Sequence, residues 1–139
     1  MTAISGLRAA IKTSLAGLDD TLGTPAVFSF PAPSPSLPAA VIADDDPLIS
    51  HRDHEDSGYT VRVVSLRILL MVAPLHEEKG YVQLETWADQ MDALLAAVVP
   101  PAGFTTPVVT SVSARGLVAY AETTALGQFF DIEVADQYC

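Results

Sequence analysis

The chain has little of what would place it in an oxidising compartment or a membrane. Its 139 residues include a single cysteine, Cys139, which has no partner for an internal disulfide. No uninterrupted apolar run reaches the roughly 18–20 residues of a membrane-spanning helix. Arg8 and Lys12 interrupt the apolar positions near the N-terminus. We therefore expect no structural disulfide, no signal peptide and no membrane partner.

Basic residues are also scarce, with 7 lysines and arginines against 17 aspartates and glutamates and a net charge of −10. A surface that grips nucleic acid needs a basic patch, so this balance argues against specific nucleic-acid binding. Two explanations of the charge stay open. Acidity favours solubility, and a ring through which DNA slides would also benefit from repelling phosphate.

Motifs that carry catalysis or bind cofactors are absent from the sequence. It contains no G-x-S-x-G elbow, no H-E-x-x-H zinc motif and no glycine-rich phosphate loop. His51 and His54 stand among several carboxylates between Asp44 and Asp56, but without the spacing of a calcium loop. We expect no catalytic residues, no cofactor and no metal. A solvated acidic loop explains this segment, and a small ligand- or metal-binding module is the alternative.

The strongest strand signal lies at Thr60–Val72, a long run of β-forming residues. The alternation of its apolar residues changes phase, so we expect a bulge near Val63–Val64. The C-terminal half is apolar on both faces, because Leu69 and Met71 add apolar side chains to the second face. We expect helices or a neighbouring subunit to bury both sides of that half.

The clearest helix signal lies at Tyr81–Val98, where apolar residues follow the i, i+3, i+4, i+7 pattern and Pro100-Pro101 ends the helix. A second helix is predicted over Ser5–Leu18 from the same spacing. We expect both helices to bury their apolar sides against the strands.

The other segments predict loops and short strands. Loops or turns are expected in a proline-rich connector at 24–38, a charged loop at 52–58 and a turn at Pro74–Gly80. Short strands are expected at Ala39–Ile42, ended by Asp44–Pro47, and in an antiparallel meander with a turn at Ala125–Gly127: Val108–Ser113, Leu117–Thr123 and Gln128–Val134. Another short extended piece is expected at Leu48–His51. The prediction is one α+β domain over residues 1–139, with two principal helices packed on a mixed, mainly antiparallel sheet of about 4–6 strands.

This order of elements resembles that of the tail terminator, or head–tail joining, proteins of long-tailed (siphovirus-type) bacteriophages. The shared features are an N-terminal helix, a proline-containing segment that leads into a short strand, a long strand after a charged loop, an amphipathic helix and short closing strands: Leu7–Leu18, Pro38–Ile42, Thr60–Val72, Leu84–Leu95 and Phe130–Val134. The resemblance spans nearly the whole chain and is one of pattern and size, without a single diagnostic motif.

The resemblance implies a structural virion protein with no catalytic role. Members of that family form a ring, typically a hexamer, which caps the head-proximal end of the tail tube. The ring ends tube polymerisation and joins tail to head, and genomic DNA passes through its lumen without sequence-specific binding. The implied partners are other copies of the chain, the tail-tube protein and the head-connector or stopper protein. The implied location is the neck of the virion, after assembly in the host cytoplasm.

Two alternatives stay open: another head–tail adaptor or tail-tube subunit, and, from a different class, the acidic ligand- or metal-binding module. If the chain forms a ring, two groups of residues are candidates for contact between copies. Leu69 and Met71 supply surplus apolar surface, and Phe129 is expected to point outward beside Asp131 and Glu133.

Overall fold

The computed structural model describes residues 3–18, 26–28, 38–54, 59–72, 77–120 and 123–136. They form an α+β fold of two helices and one mixed, mostly antiparallel sheet of six strands, which confirms the predicted fold class. In chain order the elements are α1 (Ala3–Leu15), β1 (Ala26–Phe28), β2 (Ala39–His54), β3 (Tyr59–Val72), α2 (Glu77–Ala96), β4 (Val108–Val112), β5 (Gly116–Tyr120) and β6 (Thr123–Asp136).

The strands follow the order β1-β2-β3-β6-β4, and β5 also pairs with β6. One side of β6 is occupied by β3, so β4 and β5 lie one after the other along its opposite side. The predicted meander is therefore wrong in its last turn. Ala125–Gly127 are buried residues inside β6, and Tyr120 pairs directly with Thr123 instead.

Strand β2 joins the two short pieces predicted at Ala39–Ile42 and Leu48–His51 into one long strand, because the ladder with β3 resumes after the aspartate run that was expected to end the first piece. Residues 45–48 of β2 stand opposite Ser65 alone, and the Asp46–Pro47 peptide bond within this stretch is cis. The bulge predicted near Val63–Val64 is wrong, since the β3–β6 register runs without a shift and the irregularity lies on β2. Val63 simply points to the other face.

The predicted loops are only partly within the described residues. Residues 52–54 of the expected charged loop continue β2, and residues 55–58 lie outside the described residues. Of the proline-rich connector, which was expected to be a loop, residues 26–28 form the edge strand β1, and residues 24–25 and 29–37 lie outside the described residues. Helix α2 begins at Glu77, inside the turn predicted at Pro74–Gly80.

Both helices cover the same face of the sheet. In a strand, alternate residues point to opposite faces, and the even-numbered apolar residues of β3 and β6 pack against α1 and α2 in one core. Its largest fully buried members include Leu7, Ile11, Leu15, Ile68, Leu70, Leu84, Trp87 and Met91. This core lies between the helices and the sheet. The opposite face of the sheet carries a smaller, separate cluster of buried apolar residues.

Two side chains of α1 tie it to its neighbours. The Ser14 hydroxyl donates a hydrogen bond to the Leu94 carbonyl of α2. The buried Arg8 guanidinium donates to the Ile42 carbonyl of β2 at 2.8 Å. Helix α1 is therefore fixed both to α2 and to the outer part of the sheet.

Candidate self-association surface

Leu69 and Met71 lie on the sheet face opposite the helices, yet the chain itself covers them. Their exposed fractions are 5% and 0%. They pack in a cluster with small and aromatic side chains of β1, β2, β5 and β6: Ala39, Val41 and Ala125, with Phe28, Val118 and Phe129 partly buried beside them. The expectation that these two residues leave apolar surface for a neighbouring subunit is therefore wrong.

Phe129, Asp131 and Glu133 lie on that same face and are partly exposed. Phe129 points away from Phe130, as predicted, but its ring is not isolated, because the Arg67 guanidinium lies 4.9 Å from the ring centroid. This part of the face is a charged surface with one aromatic ring in it.

The Asp131 carboxylate joins three neighbouring strands. Arg67 of β3 donates from Nε to Oδ1 at 2.7 Å, and Ser111 of β4 donates to Oδ2 at 2.9 Å. The pKa of Asp131 lies below its usual value, chiefly because of the hydrogen bond from Arg67, while burial acts in the opposite direction. Asp131 therefore anchors β4 to the sheet.

The sheet edge formed by β4 and β5, hereafter the β4–β5 edge, carries the apolar exposure that sequence reasoning missed. Val112 pairs with Phe130 and Leu117 pairs with Leu126, so both point to the face that the helices cover. They are nevertheless 48% and 66% exposed. The helices therefore stop short of this edge.

The short link between β4 and β5 is held by Ser113. Its N–H donates to the Phe129 carbonyl at 2.9 Å, its hydroxyl accepts from the Phe129 N–H at 2.8 Å, and its carbonyl accepts from the Gln128 amide at 2.9 Å. Arg115 follows immediately before β5, partly exposed, and makes no ion pair within the described ranges. The β4–β5 edge therefore has one positive charge beside its apolar side chains.

The outer edge of β2 carries the opposite charge. Asp44 pairs with the buried Arg8 on the helix side, and the Asp45 carboxylate lies 3.7 Å from Arg67 on the other side. Burial lowers the pKa of Arg8 from its usual value. Asp46 is exposed and has no ion pair among the residues described. We call Asp44–Asp46 the aspartate segment.

The described part of the chain contains no group of three or more histidine, cysteine, aspartate or glutamate side chains placed to hold a metal ion. Within that part, no helix combines the length and the apolar character needed to cross a bilayer. The chain matches no protein-family model, and no curated protein matches it either.

Proposed function

We propose that this chain is a structural virion protein of the tail-terminator type, which forms a ring on the head-proximal end of a phage tail tube. In this role it ends tube polymerisation and joins tail to head, while DNA passes through the lumen. Its partners are other copies of itself, the tail-tube protein and a head-connector or stopper protein. It has no catalytic role.

The observation that carries this proposal is the presence of two unlike outer edges at opposite ends of one sheet. Beyond its short pairing with β1, β2 presents the aspartate segment, whereas the β4–β5 edge is apolar with one arginine. A ring requires head-to-tail contacts between two different surfaces of the same subunit. A sheet that presents such surfaces at its two ends has the arrangement that a closed ring needs.

Charge supports the DNA conduit in the same proposal. The chain carries a net charge of −10, and three of its arginines are already paired with aspartates inside the subunit: Arg8, Arg62 and Arg67. Seven lysines and arginines in all stand against 17 aspartates and glutamates. A predominantly negative lumen would let DNA pass without binding it.

The direct test is the mass and shape of the purified protein. Size-exclusion chromatography with light scattering should give one discrete species whose mass is a multiple of 14.7 kDa. Negative-stain electron microscopy should show single rings, and these should bind the ends of isolated tail tubes. Long tubes would instead identify a tube subunit. A persistent monomer that also fails to bind tail tubes would contradict the proposal.

A further inference from the structure

We propose that the β4–β5 edge of one copy binds the aspartate segment of the next copy, with Arg115 facing Asp46 across the contact. The occupant of this edge is thus a second copy of the same chain. The inference rests on the proposed ring and assigns the two surfaces that would form it.

The positions of the two surfaces fit this contact. The aspartate segment lies on β2, near one end of the strand order, and β4 and β5 form the other end. Beyond its pairing with β1 at Ala39–Val41, β2 has no strand on its outer side in the described part of the chain. Each copy therefore offers one such surface in each direction, as successive subunits of a ring require.

The apolar side chains of the β4–β5 edge also call for a partner. An exposed edge strand with large apolar side chains is an aggregation hazard unless another surface covers it. Leu117 and Val112 flank the link that contains Arg115, and Val108 is exposed on the other face of β4. On β2, Leu48 and Ile49 follow the aspartate segment and are partly exposed, although Leu48 also packs partly against the main core.

Charge complementarity selects the second copy as that partner. Arg115 has no ion pair within the described residues, although the chain is strongly acidic. Asp46 is exposed, and its backbone N–H donates a hydrogen bond to the Asp45 carboxylate at 2.9 Å. An unpaired cation on one surface and an unpaired carboxylate on the other are what a charge-steered contact between copies requires.

Reversing the charges of Arg115 and Asp46, singly and together, tests the contact, because the double variant should restore the binding that each single variant weakens. We expect Arg115→Asp and Asp46→Arg each to weaken self-association at least about tenfold, because each places like charges opposite one another. The double variant R115D/D46R restores opposite charges at every contact and should return to within about threefold of the unchanged protein. Sedimentation velocity from micromolar to millimolar concentration measures all three.

Lys12→Asp is the matched control, since it makes the same charge change on the exposed side of α1. It should leave self-association unchanged. Circular dichroism melting of each variant confirms that the subunit still folds, which is expected because both reversed side chains lack ion pairs within the described residues.

The outcomes separate the two proposals. If the unchanged protein is monomeric throughout and ignores tail tubes, the proposed function fails. If rings form and R115D and D46R both leave them intact, the ring stands and this contact is wrong. If each single reversal weakens the ring but the double variant does not recover, the two residues do not face one another and the inference is overturned.

Discussion

At one outer edge of the sheet, β2 carries three consecutive aspartates and a proline, whereas at the other edge β4 and β5 present valine and leucine side chains to solvent. The β2 edge is also tied down from outside the sheet, because Arg8 of α1 bonds to it. The β4–β5 edge is held mainly through β6.

The difference indicates two kinds of contact surface. Charges, proline and irregular register all prevent a strand from adding to an edge, so β2 can contact another molecule through side chains but not through a continued ladder around the aspartate segment. The β4–β5 edge has one register irregularity, between Val109 and Ser111, but no proline, and Gly116–Tyr120 pairs regularly with β6. Its outer side is therefore the more open of the two.

The largest expected effect comes from crowding the attachment of β5. A methyl group on Gly127 would lie 2.9 Å from the Leu70 backbone oxygen and 2.8 Å from Val118, and the backbone atom cannot move aside. We expect Gly127→Ala to lower the free energy of unfolding by about 2–3 kcal/mol, measured by urea denaturation at a fixed low protein concentration.

Gly116 is the matched control for this change, since it is the register partner of Gly127. A methyl group there would have no neighbour within 4 Å. Gly116→Ala should change the free energy of unfolding by less than about 0.5 kcal/mol. Equal effects of the two substitutions would show that β5 does not pack on β6 as described.

The next effect concerns the β2 edge. Arg8→Met keeps the apolar stem but removes the donor to the Ile42 carbonyl and the partner of Asp44. Because Asp44 stays partly hydrated, we expect a loss of about 1–2 kcal/mol in the free energy of unfolding rather than the full cost of a stranded buried charge. Lys12→Met on exposed α1 surface should cost less than about 0.5 kcal/mol. If Arg8→Met left the free energy of unfolding unchanged, α1 would not stabilise the β2 edge.

A smaller, pH-dependent effect tests how β4 is anchored. The hydrogen bond from Arg67 holds the pKa of Asp131 in the folded protein below its usual value of 3.8. The ionised carboxylate therefore stabilises the fold above about pH 4, and this stability is lost as the pH falls through the lower folded pKa. Because the pair is partly exposed, Asp131→Asn should cost only about 0.5–1 kcal/mol at pH 7.

Urea denaturation at pH 7 and at about pH 2 checks the direction of this pH dependence. The difference in free energy of unfolding between the unchanged protein and Asp131→Asn should shrink at the lower pH. Asp89→Asn, on the exposed side of α2, is the control and should change the free energy of unfolding by less than about 0.5 kcal/mol at both pH values. A difference for Asp131→Asn that grew on acidification would contradict the assigned role of this carboxylate.

Local pattern was enough to locate the helices, because their apolar spacing reflects a single buried face. It also located β3, whose long run of β-forming residues is buried on both faces. It failed for β2, where Asp44–Pro47 has the composition of a strand end. The ladder resumes at Ile49 opposite Val64, and Pro47 falls where no ladder bond is needed. Local pattern also failed at Ala125–Gly127, where the glycine suggested a turn. Gly127 instead lies inside β6, where Leu70 and Val118 approach so closely that there is no room for a side chain.

The candidate surface was harder to predict, because exposure depends on pairing between distant segments. Leu69 and Met71 are covered by β1, β2, β5 and β6, which lie far from them in sequence. Leu117 has the same residue type as buried leucines and differs only in lying on an edge strand beyond the helices. Nothing in the local sequence distinguishes these two situations.

The smallest effect on folding belongs to Leu117, and it separates the stability of the subunit from its assembly. Leu117→Thr keeps a β-forming residue and removes apolar surface that is already mostly exposed, so the free energy of unfolding should change by less than about 0.5 kcal/mol. Self-association should nevertheless weaken. Val99→Thr, at an exposed apolar residue just beyond the C-terminal end of α2, should change neither quantity. If Leu117→Thr instead lowered the free energy of unfolding by several times this amount and left assembly intact, the side chain would belong to the core, and the contrast between the two edges would lose its main support.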